Sequence, residues 1–267
     1  MPTVHTIRAS ALSSWQDCPR RGAAKLFRKE LSAAGVSFPD KPTGIAAIIG
    51  TGAHAGAMHG CREKSEGALP SQSAMLDAAV ASLRFEISGW VEYDDKARNK
   101  NAAEKQVKGI VNVFARDVLP IIEPAHVEER ITATLTPEFE ISGQPDLIEA
   151  DATIRDAKTG KSGEGHHAQF GTYSLLRQAN GFPAPPRIEV DWIPRNKDTH
   201  EVIHYDVATC EDIAKAAAQD VIRQYTVFKR TGQPAAFPVN PMSMMCGPKY
   251  CPAHGTEFCP IHKGDQL

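Results

Sequence analysis

Gly143-Gln144-Pro145-Asp146-Leu147-Ile148-Glu149-Ala150-Asp151-Ala152-Thr153-Ile154-Arg155-Asp156-Ala157-Lys158-Thr159-Gly160 is the stretch that decides the fold. Its segments Asp146 to Glu149 and Thr153 to Asp156 favour strands, and the short polar connection between them predicts a hairpin. Alternation along the second strand puts Asp156 and Lys158 on one face and turns Ala157 away. Asp146 joins that face only if paired residues sum to an even number, which a three-residue loop at Ala150-Asp151-Ala152 provides and a two-residue turn does not. A hard divalent ion such as magnesium prefers carboxylate oxygens, and a neighbouring lysine can hold a water or balance charge on a phosphate. Asp-x-Lys alone is more often a surface salt bridge, so its meaning depends on the rest of the chain.

Outward from this hairpin, His166 to Ala179 has helical spacing and stops at Asn180-Gly181. Strands are predicted at Arg187 to Ile193 and Glu201 to Val207, then a helix from Asp212 to Thr231. On the other side, strand character begins at Val127 and continues through Ile131 to Leu135 and Glu138 to Ser142. Earlier segments are helical: Met75 to Gly89, and Ala102 to Leu119 with an apolar stripe of Val107, Ile110, Val111, Phe114 and Val118. Ile45 to Gly60, with glycines at 50, 52, 56 and 60, is expected to be a buried, closely packed helix. Ala9 to Leu31 is expected to be one helix with Leu12, Trp15, Leu26 and Leu31 on its apolar face. Its basic residues Arg8, Arg20, Arg21, Lys25, Arg28 and Lys29 suit either a phosphate-facing surface or a solvated face. The expectation is a single α/β domain over residues 1–267, with a central mixed sheet from Val127 to Asp156 and Arg187 to Val207 flanked by helices.

With 42% hydrophobic and 23% charged residues in 267, the chain can bury a full core. A net charge of −2 excludes a protein that coats nucleic acid by charge alone but leaves room for a local basic groove. No apolar run reaches about 18 residues, and Met1-Pro2-Thr3-Val4-His5 lacks the layout of a secretory signal. No membrane contact and a cytoplasmic location are therefore expected. Six cysteines are too few for a disulfide framework and suit metal ligands or buried thiols.

Three further features gain meaning from their order. Gly50-Thr51-Gly52-Ala53-His54 puts a histidine on the small-residue helix, Glu128 and Glu129 are expected to open the first strand, and Gln169 and Tyr173 lie four apart on one helical face. The series Gly-x-x-x-His, Glu, Gly-x-x-Asp, Asp-x-Lys-Thr-Gly, Gln-x-x-x-Tyr resembles the RecB-like branch of the PD-(D/E)XK nuclease superfamily. That resemblance implies a restriction-endonuclease-like core in which His54, Asp146, Asp156 and the carbonyl of Ala157 bind magnesium or manganese. It further implies that Lys158 positions or activates the attacking water, that Glu128 or Glu129 supports the metal site, and that Gln169 and Tyr173 contact DNA or brace the site. By contrast His59-Gly60-Cys61 lacks a third orienting group for nucleophilic catalysis, so Cys61 and Cys210 are expected to be structural.

The tail from Pro238 onward holds Cys246, Cys251 and Cys259 in a Pro- and Gly-rich segment with too little aliphatic content for a core of its own. A metal would order it, and Cys18, in Asp17-Cys18-Pro19, is the natural candidate for the fourth ligand. This layout resembles the iron–sulfur members of the RecB-like nucleases, the AddB-type, CRISPR-associated and phage exonuclease group. The resemblance implies a 4Fe-4S cluster joining segment 1–31 to the tail 238–267. Four and seven residues separate the tail cysteines where closer spacing is usual, so zinc stays open, with His254 or His262 in place of Cys18.

The function expected is a magnesium- or manganese-dependent DNA nuclease, an exonuclease on single strands or duplex ends in recombination, repair or phage DNA processing. The alternatives are a noncatalytic metal-stapled DNA-binding or scaffold protein, and a zinc-stabilised subunit of a helicase complex. No Gly-x-x-x-x-Gly-Lys-Ser/Thr loop occurs, so unwinding would come from a helicase or recombination partner.

Overall fold

Pro19 divides the N-terminal segment that the sequence predicts as one helix. The residue before a proline is pushed out of the helical region, and Cys18 is extended at φ −154°, ψ 104°. The computed structural model, which describes residues 4–160, 165–259 and 261, therefore has α1 (Ala9–Asp17), α2 (Pro19–Leu26) and α3 (Arg28–Ala33) in place of one helix. The apolar face survives, with Leu12, Trp15 and Leu31 buried. The basic set divides: Arg20 and Arg21 are buried, Arg21 pairing with Asp17 at 2.8 Å, so neither faces a phosphate, while Arg8, Lys25, Arg28 and Lys29 are exposed.

Before these helices runs β1 (His5–Arg8), a strand absent from the sequence expectation. It pairs in parallel with β6 (Phe139–Gly143), which is antiparallel to β5 (Ile131–Thr136). These three strands form a sheet of their own, order β1-β6-β5, so the expected single sheet is split. The break falls at Gln144-Pro145, where proline removes a ladder donor. The main sheet contains β4 (Pro124–Val127), β7 (Leu147–Glu149), β8 (Ile154–Lys158), β9 (Ile188–Trp192) and β10 (Glu201–Tyr205), in the order β10-β9-β8-β7-β4. It is mixed, since β8 and β9 are parallel while the other neighbours are antiparallel. A two-stranded ladder of β2 (Thr43–Gly44) and β3 (Val91–Glu92) lies apart.

Helices cover the sheets. α4 (Ile45–Ser65), α5 (Gln72–Ile87) and α6 (Lys100–Val113), which runs on into a π turn (Phe114–Val118), share one apolar core with Leu147 and Ile193. The glycines of α4 permit close approach: a Cβ at Gly56 would come 2.6 Å from the carbonyl of Met75. α7 (His167–Ala179) packs through Phe170 and Tyr173 on Ile154, Ile188 and Val190. α8 (Val207–Thr231) starts earlier than expected because Asp206 caps it, accepting the Thr209 N–H at 2.8 Å. α7 and α8 cross at Gly171, where a Cβ would overlap the backbone carbonyl of Cys210. Gly171→Ala is expected to destabilise the protein by roughly 3 kcal/mol, the upper range for overpacking. Urea unfolding measures it, and a loss below about 0.5 kcal/mol would contradict this packing.

The tail is held before any metal is considered. Arg20 donates to the carbonyls of Phe237 (2.8 Å) and Phe258, and Phe258 is buried among Arg20, Phe38 and Phe237. No helix among the described residues is long and apolar enough to cross a membrane.

Candidate active site

The hairpin has the register required for a shared site. Leu147 pairs with Arg155 and Ile148 with Ile154, an even sum, around the loop Ala150-Asp151-Ala152. Ala152 takes the left-handed conformation that such a loop needs, φ +71°, and Asp151 accepts the Thr153 N–H at 2.9 Å. Asp146, immediately before β7, therefore stands opposite Asp156. Its Oδ2 accepts the Ala157 N–H at 3.0 Å.

α4 brings His54 across this hairpin. The ring places Nδ1 3.3 Å from Asp146 Oδ2 and Nε2 2.9 Å from Glu128 Oε1. Glu128 does not open a strand, contrary to the sequence expectation; it occupies a turn between β4 and β5 at φ +52°. Its N–H donates to the Asp146 carbonyl at 3.1 Å, tying the turn to the hairpin. Glu129 points elsewhere, toward exposed His126 at 2.9 Å. Arg62, two turns beyond His54 on α4, ion-pairs with Glu128 and is a site residue the motif reading missed; the i, i+8 spacing was its only signal. Gln169 donates to the Tyr173 hydroxyl at 2.7 Å, so these two brace each other.

Asp156 is 1% exposed and Lys158 ion-pairs with it. Beyond that ion pair, neither Asp156 oxygen has a hydrogen-bond partner among the described residues. Burial, reinforced by the charge of Asp146, pushes its carboxyl up to about 6 despite Lys158. Burial works against the Lys158 ammonium, but Asp156 and Asp146 outweigh it and hold its pKa above the ordinary value. Lys158 is therefore a cation at neutral pH. Burial also opposes charge on His54, yet Asp146 and then Glu128 push it up to about 10. For Asp146 burial alone would raise the pKa, but His54, Lys158 and the Ala157 N–H together outweigh it and leave the carboxyl below its ordinary value. His166, another residue the motif reading missed, is pushed down to about 4 by burial, with Lys158 adding to the effect.

The His54 shift predicts a pH dependence. With a folded pKa of about 10 against 6.5 unfolded, the imidazolium's stabilisation is complete below pH 6.5 and disappears as pH rises through 10. In EDTA, the melting temperature of the wild type should fall more between pH 7 and 10 than that of His54→Gln. Parallel curves would show that the paired imidazolium is absent.

A cavity of about 380 Å³ opens beside this cluster, bounded by Ala46, Gly50 and His54 of α4 and by Ala157, Lys158 and Thr159. Small residues on that face of α4 leave the space. A buried carboxylate short of hydrogen-bond donors, facing a second carboxylate and an imidazole, is a donor set that suits a hard divalent cation. As they stand, the side chains pair with one another, and no group of three or more His, Cys, Asp or Glu among the described residues is arranged as a ready metal-ion site.

Apart from this site, Cys18, Cys246, Cys251 and Cys259 line one cavity together with Arg20 and Arg21. No cysteine is in a disulfide. Asn240 N–H donates to Cys18 Sγ at 3.4 Å, and Arg21 Nε and Nη1 are buried without a hydrogen-bond partner. Four thiols and unsatisfied guanidinium donors around one space fit an anionic, thiolate-bound group. His262, one of the zinc alternatives, lies outside the described residues. Cys61 and Cys210 do not line this cavity and sit fully buried in other parts of the core, where burial pushes their thiols up to about 12 and about 11, which is inert chemistry.

A family model described as the PD-(D/E)XK nuclease superfamily matches residues 7–260. The crystal structure of a protein from Eubacterium rectale, provisionally titled an exonuclease, is similar at TM-score 0.60 and 12% identity over 91% of this chain and 87% of that chain, which shows a shared fold. The structure of SSO0001 covers 76% of this chain and 92% of its own at 15% identity, with a TM-score of 0.27 that supports no comparison. No curated protein matches the sequence.

Proposed function

Given that the chain belongs to the PD-(D/E)XK nuclease superfamily, whose members hydrolyse phosphodiester bonds with divalent metals, we propose that it is a magnesium- or manganese-dependent DNA exonuclease acting on single strands or duplex ends. The observation that carries this reading is the Asp156 carboxylate, buried, facing Asp146 and contacted by Lys158, with no other hydrogen-bond partner on either oxygen among the described residues. A binding module has no reason to keep two carboxylates beside an anionic backbone. The exonuclease title of the Eubacterium rectale protein supports action at ends.

Asp146, Asp156, the Ala157 carbonyl and His54 would hold the ion. When bound, it supplies Lewis acidity and lowers the pKa of water. The other groups have roles set by their own chemistry. Lys158 enters as an ammonium, so it orients water by donation and balances negative charge on the phosphate rather than taking a proton. Glu128 holds the His54 ring, and Arg62 holds Glu128. Gln169 and Tyr173 brace the wall behind Asp156.

Cys18, Cys246, Cys251 and Cys259 are proposed to bind a 4Fe-4S cluster that staples the two ends of the chain. A single zinc ion, with its ligands about 2.3 Å away, is the alternative occupant of the same four thiols, and the iron and zinc content of the purified protein decides between the two. Any duplex unwinding falls to a partner helicase. The test is digestion of single-stranded and blunt duplex oligonucleotides by the wild type with manganese, magnesium or EDTA. Metal-dependent release of nucleotides from the ends supports the reading. Binding without cleavage under all conditions would establish the scaffold alternative instead.

A further inference from the structure

A second concavity, of about 680 Å³, runs between α6 and the loop after β9 and is bounded by Lys96, Lys105, Gly109, Arg116, Arg195 and Lys197. It neighbours the catalytic cavity, since Ile110 lines both. Its charges are not self-cancelling. Asp198, the acid that lines it, is held by Arg116 at 2.9 Å, and the two lining arginines also pair with Asp94 (Arg195, 2.9 Å) and Asp117 (Arg116, 2.7 Å). Lys96, Lys105 and Lys197 have no ion-pair partner among the described residues. The molecule as a whole carries −2, so this local excess of cations is a property of the groove.

We infer that this groove binds the sugar–phosphate backbone of a single DNA strand and leads it to the catalytic cavity, an inference that rests on the nuclease reading for the identity of its ligand. Adjacency to a site proposed to cut a phosphodiester favours nucleic acid over an acidic peptide. From Lys105 to Asn112 the wall extends about 10 Å along α6, an extended surface rather than a pocket for one phosphate. Lysines suit this task because they pair with phosphates as point charges, without selecting a base.

Gly109 supplies the test. It lies inside α6 on the groove wall, and a Cβ there would meet nothing within 4 Å. Replacing a mid-helix glycine stabilises the helix, so a binding defect at this position cannot be blamed on unfolding. Binding of a fluorescein-labelled oligothymidylate is measured by anisotropy in EDTA, over a range of salt. Gly109→Glu should weaken affinity about tenfold while keeping or raising the melting temperature, and Gly109→Ala should bind like the wild type. Lys105→Ala/Lys197→Ala should reduce the slope of log K against log salt by about 1.4, at ~0.7 for each single-strand phosphate that is no longer neutralised. Wild-type affinity in both Gly109→Glu and the double variant would overturn the assignment, as would equal binding of a polyglutamate peptide. Because no metal is present, the result does not depend on hydrolysis: a protein that binds with these effects yet never cleaves overturns the nuclease reading and leaves the groove in place.

Discussion

Lys158→Met is expected to abolish most metal-dependent cleavage, by at least about 10²- to 10³-fold, the range for loss of one preorganised charge-stabilising donor. The sequence alone suggests that such a lysine is exposed and dispensable for folding. The structure alters that half of the expectation, because Lys158 pairs with a fully buried Asp156. Removing one partner of a buried pair normally costs about 3–5 kcal/mol. Asp156 can escape by taking up a proton, and from an ordinary carboxyl pKa near 3.9 that costs no more than about 4 kcal/mol at pH 7. Lys158→Met should therefore fold, be less stable than the wild type in EDTA, and recover much of the difference at pH 5.5, where protonation is easier. Oligonucleotide affinity should fall by no more than the share of a single phosphate. A variant that still cleaves within about tenfold of wild type would remove Lys158 from the chemistry, and one whose stability deficit is the same at pH 5.5 and 7 would remove the coupling to Asp156.

Cys18→Ser should have the largest effect on stability. Cys18 lies between α1 and α2, yet it shares a cavity with three thiols from the far end of the chain. A group bound by all four contributes its binding free energy to folding, so loss of one ligand should lower the melting temperature by at least about 10 °C, taking 2–4 °C per kcal/mol for a chain of this class. Iron content and the visible absorbance of an anaerobic preparation should fall with it. Collapse should not be complete, because Arg20 and Phe258 still anchor the tail. Cys210→Ala and Cys61→Ala remove only a buried sulfur and should retain full metal content. Equal iron and zinc in wild type and Cys18→Ser would reject the shared site.

Local chemistry is enough to read the hairpin. The alternation of Asp156 and Lys158 follows from the period of a strand, and parity makes a three-residue loop the condition for bringing Asp146 opposite Asp156, a condition the structure meets. The same holds for α7, whose Gln169 and Tyr173 meet at the i, i+4 spacing. Cys18-Pro19 shows both the reach and the limit of such reading. Composition marks the cysteine as a candidate ligand, while helical spacing carries the expected helix straight through the proline that ends α1 beside it.

What depends on distant chain segments could not be read. β1 is four residues long and becomes a strand only because β6 lies beside it. Glu128 and Glu129 are equivalent in sequence; the fold separates them, because a left-handed turn and a backbone bond to Asp146 aim Glu128 at His54 and leave Glu129 in solvent. Lys158 is an ordinary lysine until α7 and the sheet remove water from Asp156. Sequence thus determined the residue types, the alternation along each strand and the helical faces, all set within a few residues by backbone geometry, while the choice of hairpin register came from the folded structure. Burial, and with it every charge state in the site, came only from tertiary packing, because the cost of a charge depends on which segments exclude the solvent around it.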